Sequence, residues 1–395
     1  MKDSNIKHGL FVVTCMNIGD DIQSLAARRF LPKVDHYIDR DRLNLVRDLK
    51  FNKDEKLKVI MNGWYLGGYQ HWPPKNQALD PLLTSIHINP LQDNGAARDQ
   101  FVSEESLSFL KQYSPVGARD MSTLKLLQDN GVDAYFSACM TLTLNPEKSV
   151  KKKDFILAVN VSDGVYESIK QKTKRPVIRM DVERTQDTTI EENLALAQYY
   201  LYMYQSAHCV VSTRLHATLP TVAIGGKVLF IVERNGDNAD FNDRFNGLYD
   251  LVHHMSANDF IQDTKSKKYS IDKPPENPEH YREYRKNLEQ ICTKYTGYDS
   301  KQSYMNGQSI EDIVTSPEFF SGITKIAEES WDSFKYKHRW SIPPILYDEL
   351  NGSDRRKAII DELNQRINLE ENPGIITATK RLARAILYKL TVLKR

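Results

Sequence analysis

Three residues with chemistry to offer stand together in a largely apolar stretch near the middle of the chain. Between Ala207 and Val232 (AHCVVSTRLHATLPTVAIGGKVLFIV) stand Thr213, Arg214 and His216. A guanidinium grips carboxylate and phosphate oxygens in pairs, and an imidazole exchanges a proton near neutral pH. Together they make an anion site with a titratable group beside it. The surrounding residues say how such a site would be held. His208–Ser212 reads as a buried strand, and a turn then carries Arg214, Leu215 and His216. A short helix follows, closed by Gly225-Gly226, and Val228–Val232 is a second strand. In an open α/β sheet, ligands meet strand C-termini and helix N-termini, where backbone N–H groups and the helix dipole favour negative charge. Taken alone, an arginine and a histidine at a helix start could equally cap, pair with carboxylates or face water.

Other chemistry-bearing residues recur at similar junctions. Asn17-Ile18-Gly19-Asp20 sits where the run Gly9–Thr14 hands over to a helix carrying Ile22, Leu25, Ala26 and Phe30. Asp20 or Asp21 suits the N-cap; the alternative is a loop whose amides approach a ligand, with Gly19 permitting the close approach. Leu57–Asn62 is a buried strand leading to Trp64 and Tyr65, and Thr84–Asn89 another, with His87 near its end. Trp64, Tyr65, Tyr69 and Trp72 make this region aromatic, as either cover for the core or platforms for sugar rings. Ser114–Asn130 is strand, turn and helix, capped by Asp120 or Ser122, with Arg119 exposed at the turn. Ala134–Leu144 reads as a further strand. Glu233, after the last central strand, is a surface carboxylate or a contact to a sugar hydroxyl or base.

Positioning these groups requires more than one core. With 395 residues, two domains separated by a cleft are expected. The Pro- and Lys-rich stretch Glu147–Asp154 is the best boundary, giving α/β domains over 1–150 and 151–300. Phe155–Val161 and Pro176–Met180 read as strands, Thr189–Ser206 as a helix, and Pro274–Tyr295 as linker plus one helix. Net charge is +2, so no global field argues for nucleic acid. The four cysteines show no C-x-x-C spacing, and the neighbours His253 and His254 lack a second ligand pair, so no metal site is expected. Free thiols and a polar start without signal-peptide character fit the cytoplasm.

The string STRLHATLPTVAIGGKVLFI resembles the Ser-x-Arg-Leu-His segment of the polysaccharide pyruvyltransferases. The Asn-x-Gly-Asp loop at Asn17–Asp20 and the Gly-x-Arg-Asp turn at Gly117–Asp120 resemble two further elements of that family, over roughly residues 9–235. The resemblance implies two Rossmann-like domains facing across a cleft, an arrangement like that of the glycosyltransferase-B enzymes. It implies that Arg119, Thr213, Arg214, Leu215 and His216 bind phosphoenolpyruvate as co-substrate, with no other cofactor. Arg119 and Arg214 would clamp the donor and His216 would act as general acid. Asn17, Gly19, Asp20, Asn62, Trp64, His87 and Glu233 would line the cleft on the acceptor side, where a sugar or lipid-linked oligosaccharide receives the pyruvate as a ketal. Two rivals remain at this stage: a sugar-nucleotide glycosyltransferase on the same fold, and a non-catalytic subunit of a polysaccharide assembly complex.

Residues 301–395 are expected to form a helical extension. Within Ile375–Arg395, six basic residues and no acidic one accompany Leu382, Ile386, Leu387, Leu390 and Leu393 on one helical face. Such a helix either lies on an anionic membrane surface, here the inner face of the cell membrane, or docks on the protein with its charges in water.

Overall fold

In the computed structural model of the chain, residues 5–65, 68–88, 95–185, 187–233 and 244–332 are described. The basic segment 375–395, and all of 333–395, lie outside them.

The chain forms two parallel sheets. The first contains β1 (Ile6–Val12), β2 (His36–Asp39), β3 (Lys56–Trp64), β4 (Leu79–His87), β5 (Val116–Ala118) and β6 (Ala134–Phe136), in the order β2-β1-β3-β4-β5-β6. The second contains β7 (Ile156–Val159), β8 (Val177–Met180), β9 (Cys209–Ser212), β10 (Val228–Val232) and β11 (His253–Ser256), in the order β11-β10-β9-β7-β8. Strand order reverses between β1 and β3 in one sheet and between β7 and β9 in the other. A reversal leaves adjacent connections running to opposite faces, which opens a crevice at the strand C-termini. The two-sheet α/β architecture expected from the sequence is present.

Seven helices matter most here: α1 (Ile18–Arg28), α2 (Ala96–Phe101), α3 (Glu104–Gln112), α4 (Met121–Asp129), α5 (Asp163–Lys172), α6 (Ile190–Ser206) and α7 (Leu215–Ala223). One core lies between the first sheet and α2–α4, another between the second sheet and α5. A third and larger core is shared by both halves, and α1, α6 and α7 meet in it. This explains why every residue of α1 except Arg28 is buried. α6 begins with a capping box between Thr189 and Glu192, and Tyr199, Tyr200, Tyr202 and Tyr204 along it are fully buried. α7 ends at Gly225, whose φ of +76° suits a glycine.

Two local expectations are corrected. Ala134–Leu144 is not one strand. After β6 the backbone turns at Ala138 (φ 56°), and Met140–Thr143 form a buried 3-10 turn within the shared core. A short apolar run reads alike in either conformation when it is buried on every side. The cap of α1 is Asn17, which accepts from the Gly19 N–H at 2.9 Å, rather than Asp20 or Asp21. Both aspartates are engaged in buried ion pairs, Asp20 with Arg40 and Asp21 with Arg184. His253 and His254, for which the sequence suggested no element, lie in the edge strand β11, whose four residues carry little apolar pattern.

Candidate active site

Each sheet delivers functional side chains from its C-terminal edge. In the second, Thr213 Oγ1 donates to the Asn160 carbonyl at 2.7 Å, which ties the end of β9 to the end of β7. Ser212 Oγ accepts the Arg214 N–H at 3.0 Å, so the chain turns at once into α7. Arg214 occupies the N-cap without supplying a side-chain cap, which leaves the helix start open to an external anion. Its Nε is buried and has no partner among the described residues. Leu215 packs on the shared core, and His216 lies in the first turn of the helix with its Nε2 buried and without a partner among the described residues.

From the first sheet comes Arg119. The expectation that it is exposed is corrected: the residue is 1% accessible. β5 is flanked by β4 and β6, and the Arg119 N–H bonds the Ile86 carbonyl at 2.7 Å, so the residue after the strand is held inside the sheet edge. The adjacent Asp120 does not neutralise its guanidinium by direct contact. One Asp120 oxygen accepts the Thr123 N–H and Ser122 hydroxyl at the start of α4, and the other lies 2.6 Å from His87 Nδ1. Arg119 Nε and Nη1 are therefore buried without a partner among the described residues. Burial, followed by the nearby Arg119, lowers the His87 pKa to about 4 against the pull of Asp120. His87 is thus neutral at pH 7, with Nδ1–H donating to Asp120.

The start of α1 completes the arrangement. Asp20 accepts from Arg40 Nη1 at 2.9 Å, Gln23 Nε2 at 2.8 Å and the Cys15 thiol at 3.1 Å. Burial would raise its pKa, but Arg40 and then His216 hold it low, at about 2. A Cβ on Gly19 would lie 2.6 Å from His216 Cβ and 2.8 Å from its Nδ1. The close approach expected of Gly19 is therefore an approach to His216, and the N-termini of α1 and α7 touch there. Burial lowers the His216 pKa to about 3; Asp20 opposes the shift, while Arg119, Arg244 and Arg40 reinforce it.

The expected acceptor-side residues divide. Asn62, near the end of β3, is buried with its Oδ1 unpartnered among the described residues. Trp64 is half-buried, its ring edge-on to His87 at 5.0 Å. Tyr65 and Trp72 instead pack on Phe101 in the core, Tyr65 edge-on and Trp72 stacked. Glu233 is occupied elsewhere, accepting the Ser162 N–H at 3.1 Å.

Two arginines escaped the sequence reading. Arg40 follows β2 in a region with no ligand-like pattern, and Arg244 stands in a polar loop. Arg244 lies over the rings of Phe245 (4.7 Å) and Trp64 (5.9 Å), and burial together with Arg119 and Arg214 lowers its pKa to about 9. Only the folded chain brings these positions near Arg119 and Arg214, so no local signal could have found them. No group of three His, Cys, Asp or Glu suited to a metal occurs among the described residues.

The site thus combines unpartnered guanidinium N–H groups, two abutting helix N-termini and a neutral imidazole, a receptor for a small polyanion with a proton carrier at its side. The profile of the polysaccharide pyruvyl transferase family matches residues 17–235, more than half of the chain. No curated protein matches it. Among solved structures, two of the wall teichoic acid polymerase TagF are similar, at 8% and 10% identity with TM-scores of 0.36 and 0.34. Each alignment covers 77% of this chain and 88% of that one.

Proposed function

Because the chain belongs to the polysaccharide pyruvyl transferase family, a group of transferases acting on polysaccharide, we propose that it moves pyruvate from phosphoenolpyruvate onto a sugar as a ketal. The acceptor would be a cell-surface polysaccharide or its lipid-linked precursor, met at the inner face of the membrane. The observation that carries this reading is the Arg119 guanidinium, buried yet with Nε and Nη1 unpartnered, in the same charge cluster as Arg214. A buried cation without a partner is costly unless an anionic ligand completes it.

In this mechanism Arg119 and Arg214, one from each half, hold the donor's carboxylate and phosphate. Protonated His216 gives its Nε2 proton to the methylene carbon, the double-bond electrons form the new C–H bond, and positive charge develops at C2. A sugar hydroxyl attacks C2 and loses its proton. The C–O bond to phosphate then breaks, phosphate leaving with the bonding pair, and a second hydroxyl closes the ketal. Of the two hydroxyl protons released, one restores His216 and the other leaves with phosphate. His216 begins neutral, so the donor's own charge must raise its pKa before it can act as an acid.

Calorimetric titration with phosphoenolpyruvate, beside a panel of sugar nucleotides and the Arg214→Ala variant, tests the reading. Binding of phosphoenolpyruvate that is lost in the variant is the expected result. Binding of a sugar nucleotide in its place would mean a glycosyl transfer and would overturn it.

A further inference from the structure

α1 begins in the active site and ends on a second cavity. Its 11 residues carry it about 16 Å, from the C-terminal edge of the first sheet to the opposite edge. A cavity of about 440 Å³ lies there, lined by the end of α1, the turn into β2, α6 and the segment 298–306. Small-ligand sites measure about 300–1,000 Å³. Tyr37 and Tyr298, 42% and 37% accessible, both line it, although large apolar side chains are seldom so exposed among the described residues. Gln198, Ser300, Gln302 and Asn306 add amides and a hydroxyl. Of the lining cations, Arg29 is paired with Asp299 at 2.9 Å and Lys33 with Asp35 at 2.7 Å. The segment that supplies most of these groups is fixed in advance. The Ser300 N–H bonds the Arg29 carbonyl at 3.0 Å, and Asn145 Nδ2 donates to the Gln302 carbonyl at 3.0 Å. Ser303 Oγ donates to Glu147 at 2.6 Å, and Gln198 Nε2 to the Tyr304 carbonyl at 3.1 Å. The main chain is thus tied down while the side chains of Gln302 and Asn306 stay exposed.

We propose that this cavity is a saccharide-binding site, separate from the transfer site, which holds a stretch of the sugar chain on which the protein acts. The inference rests on the family's action on polysaccharide and not on the identity of the donor. A pyranose ring presents an apolar C–H face and a rim of hydroxyls. Tyrosine rings cover the first, while side-chain amides and hydroxyls, donors and acceptors at once, read the second. A phosphate or carboxylate ligand would instead call on guanidinium forks, and that of Arg29 is already engaged by Asp299. A wall held in place before the ligand arrives loses little freedom on binding. A polymer gripped here and in the cleft is bound at two points, which raises the effective concentration of its acceptor sugars at the donor.

Calorimetry of the full chain with tetramers of galactose and of galacturonic acid, and with inorganic phosphate as competitor, tests this. Wild type, Tyr298→Ala, Tyr298→Phe and Arg214→Ala are compared. Wild type is expected to bind a tetramer, and Tyr298→Ala to weaken it by about 3- to 10-fold through the loss of one ring face. Tyr298→Phe should keep most of the affinity, Arg214→Ala should keep all of it, and phosphate should not compete. Should Tyr298→Ala lower the Tm, Tyr37→Ser on β2 repeats the measurement from the other element. Affinity lost in Arg214→Ala but intact in both tyrosine variants would put the saccharide in the cleft and overturn the inference. Displacement by phosphate would make the cavity an anion pocket, and failure of both tetramers to bind would leave it no saccharide; either result overturns it as well. Phosphoenolpyruvate titrated into the same proteins separates the two readings. If wild type ignores it while a tetramer still binds through Tyr298, the cavity stands and the donor reading falls.

Discussion

At neutral pH the free imidazole of His216 carries no proton to give, because burial and the guanidiniums of Arg119, Arg244 and Arg40 outweigh Asp20. A donor anion acts in the sense opposite to those guanidiniums, so the bound-state pKa lies above the free value of about 3. If His216 is the acid of the proposed mechanism, that bound-state pKa reaches the neutral range, and donor binding at neutral pH should take up a proton. Affinity should rise as pH falls through the bound-state pKa and level off only near the free value of about 3, declining again as pH is raised through the bound-state pKa. Titrations in buffers of different ionisation enthalpy count that proton. In His216→Gln the uptake should vanish, donor affinity should drop to the level wild type shows above the bound-state pKa, and kcat should fall by about 10²- to 10⁴-fold. Proton uptake that persists in the variant would place it on the ligand's phosphate instead. This coupling was not legible in the sequence. The types and spacing of Arg214 and His216 suggested an acid beside an anion site, but an isolated histidine would be assigned a near-neutral pKa. The depressed value comes first from burial and then from Arg119, Arg244 and Arg40, all set by the folded chain rather than by the residues beside His216.

At the scale of elements, the strand-turn-helix units were the readable part. β9, α7 and β10 follow their apolar runs and the Gly225 stop, and Thr189 opens α6 as its spacing with Glu192 suggests. What could not be read was where a neighbour from another unit would fall. Asn17 caps α1 because Asp20 and Asp21 are drawn to arginines supplied by other segments, and Arg119 is buried at the end of a strand flanked by β4 and β6. Gly19 illustrates the same point. A methyl group there would need to occupy space held by His216. Gly19→Ala should cost about 1–3 kcal/mol of stability through overpacking, and should lower activity further by displacing the imidazole. Denaturant melts and steady-state kinetics on the variant check both; wild-type stability and turnover together would mean the two helix starts separate freely.

The whole molecule is less divided than its two sheets suggest. α1 belongs to the first sheet by sequence, yet its start is stitched to the segment after β8. The Ile18 N–H bonds the Val182 carbonyl at 2.8 Å, the Arg184 N–H bonds the Met16 carbonyl at 2.7 Å, and Arg184 pairs with Asp21 at 2.8 Å. That ion pair is almost fully buried, so Arg184→Ala would strand a carboxylate and should cost about 3–5 kcal/mol in chemical denaturation. Replacing both members with apolar residues should recover most of the loss; a single variant of wild-type stability would show that water reaches Asp21. Composition and length predicted two sheets and a boundary near Glu147–Asp154, but periodicity says nothing about which helix lies between them.

The contact between Gly19 and His216 bears on how such a chain is inherited. Its two halves resemble interchangeable modules, and a crossover near residue 150 would exchange one Rossmann-like unit for another. The imidazole of the second half, however, fits only against a first half that carries no side chain at position 19. The cleft arginines and the Asp21–Arg184 pair impose the same matching at other points. A recombinant can therefore keep both folds intact and still lose the placement of that imidazole, so the pair is expected to diverge as one unit, each half constraining which substitutions the other can accept.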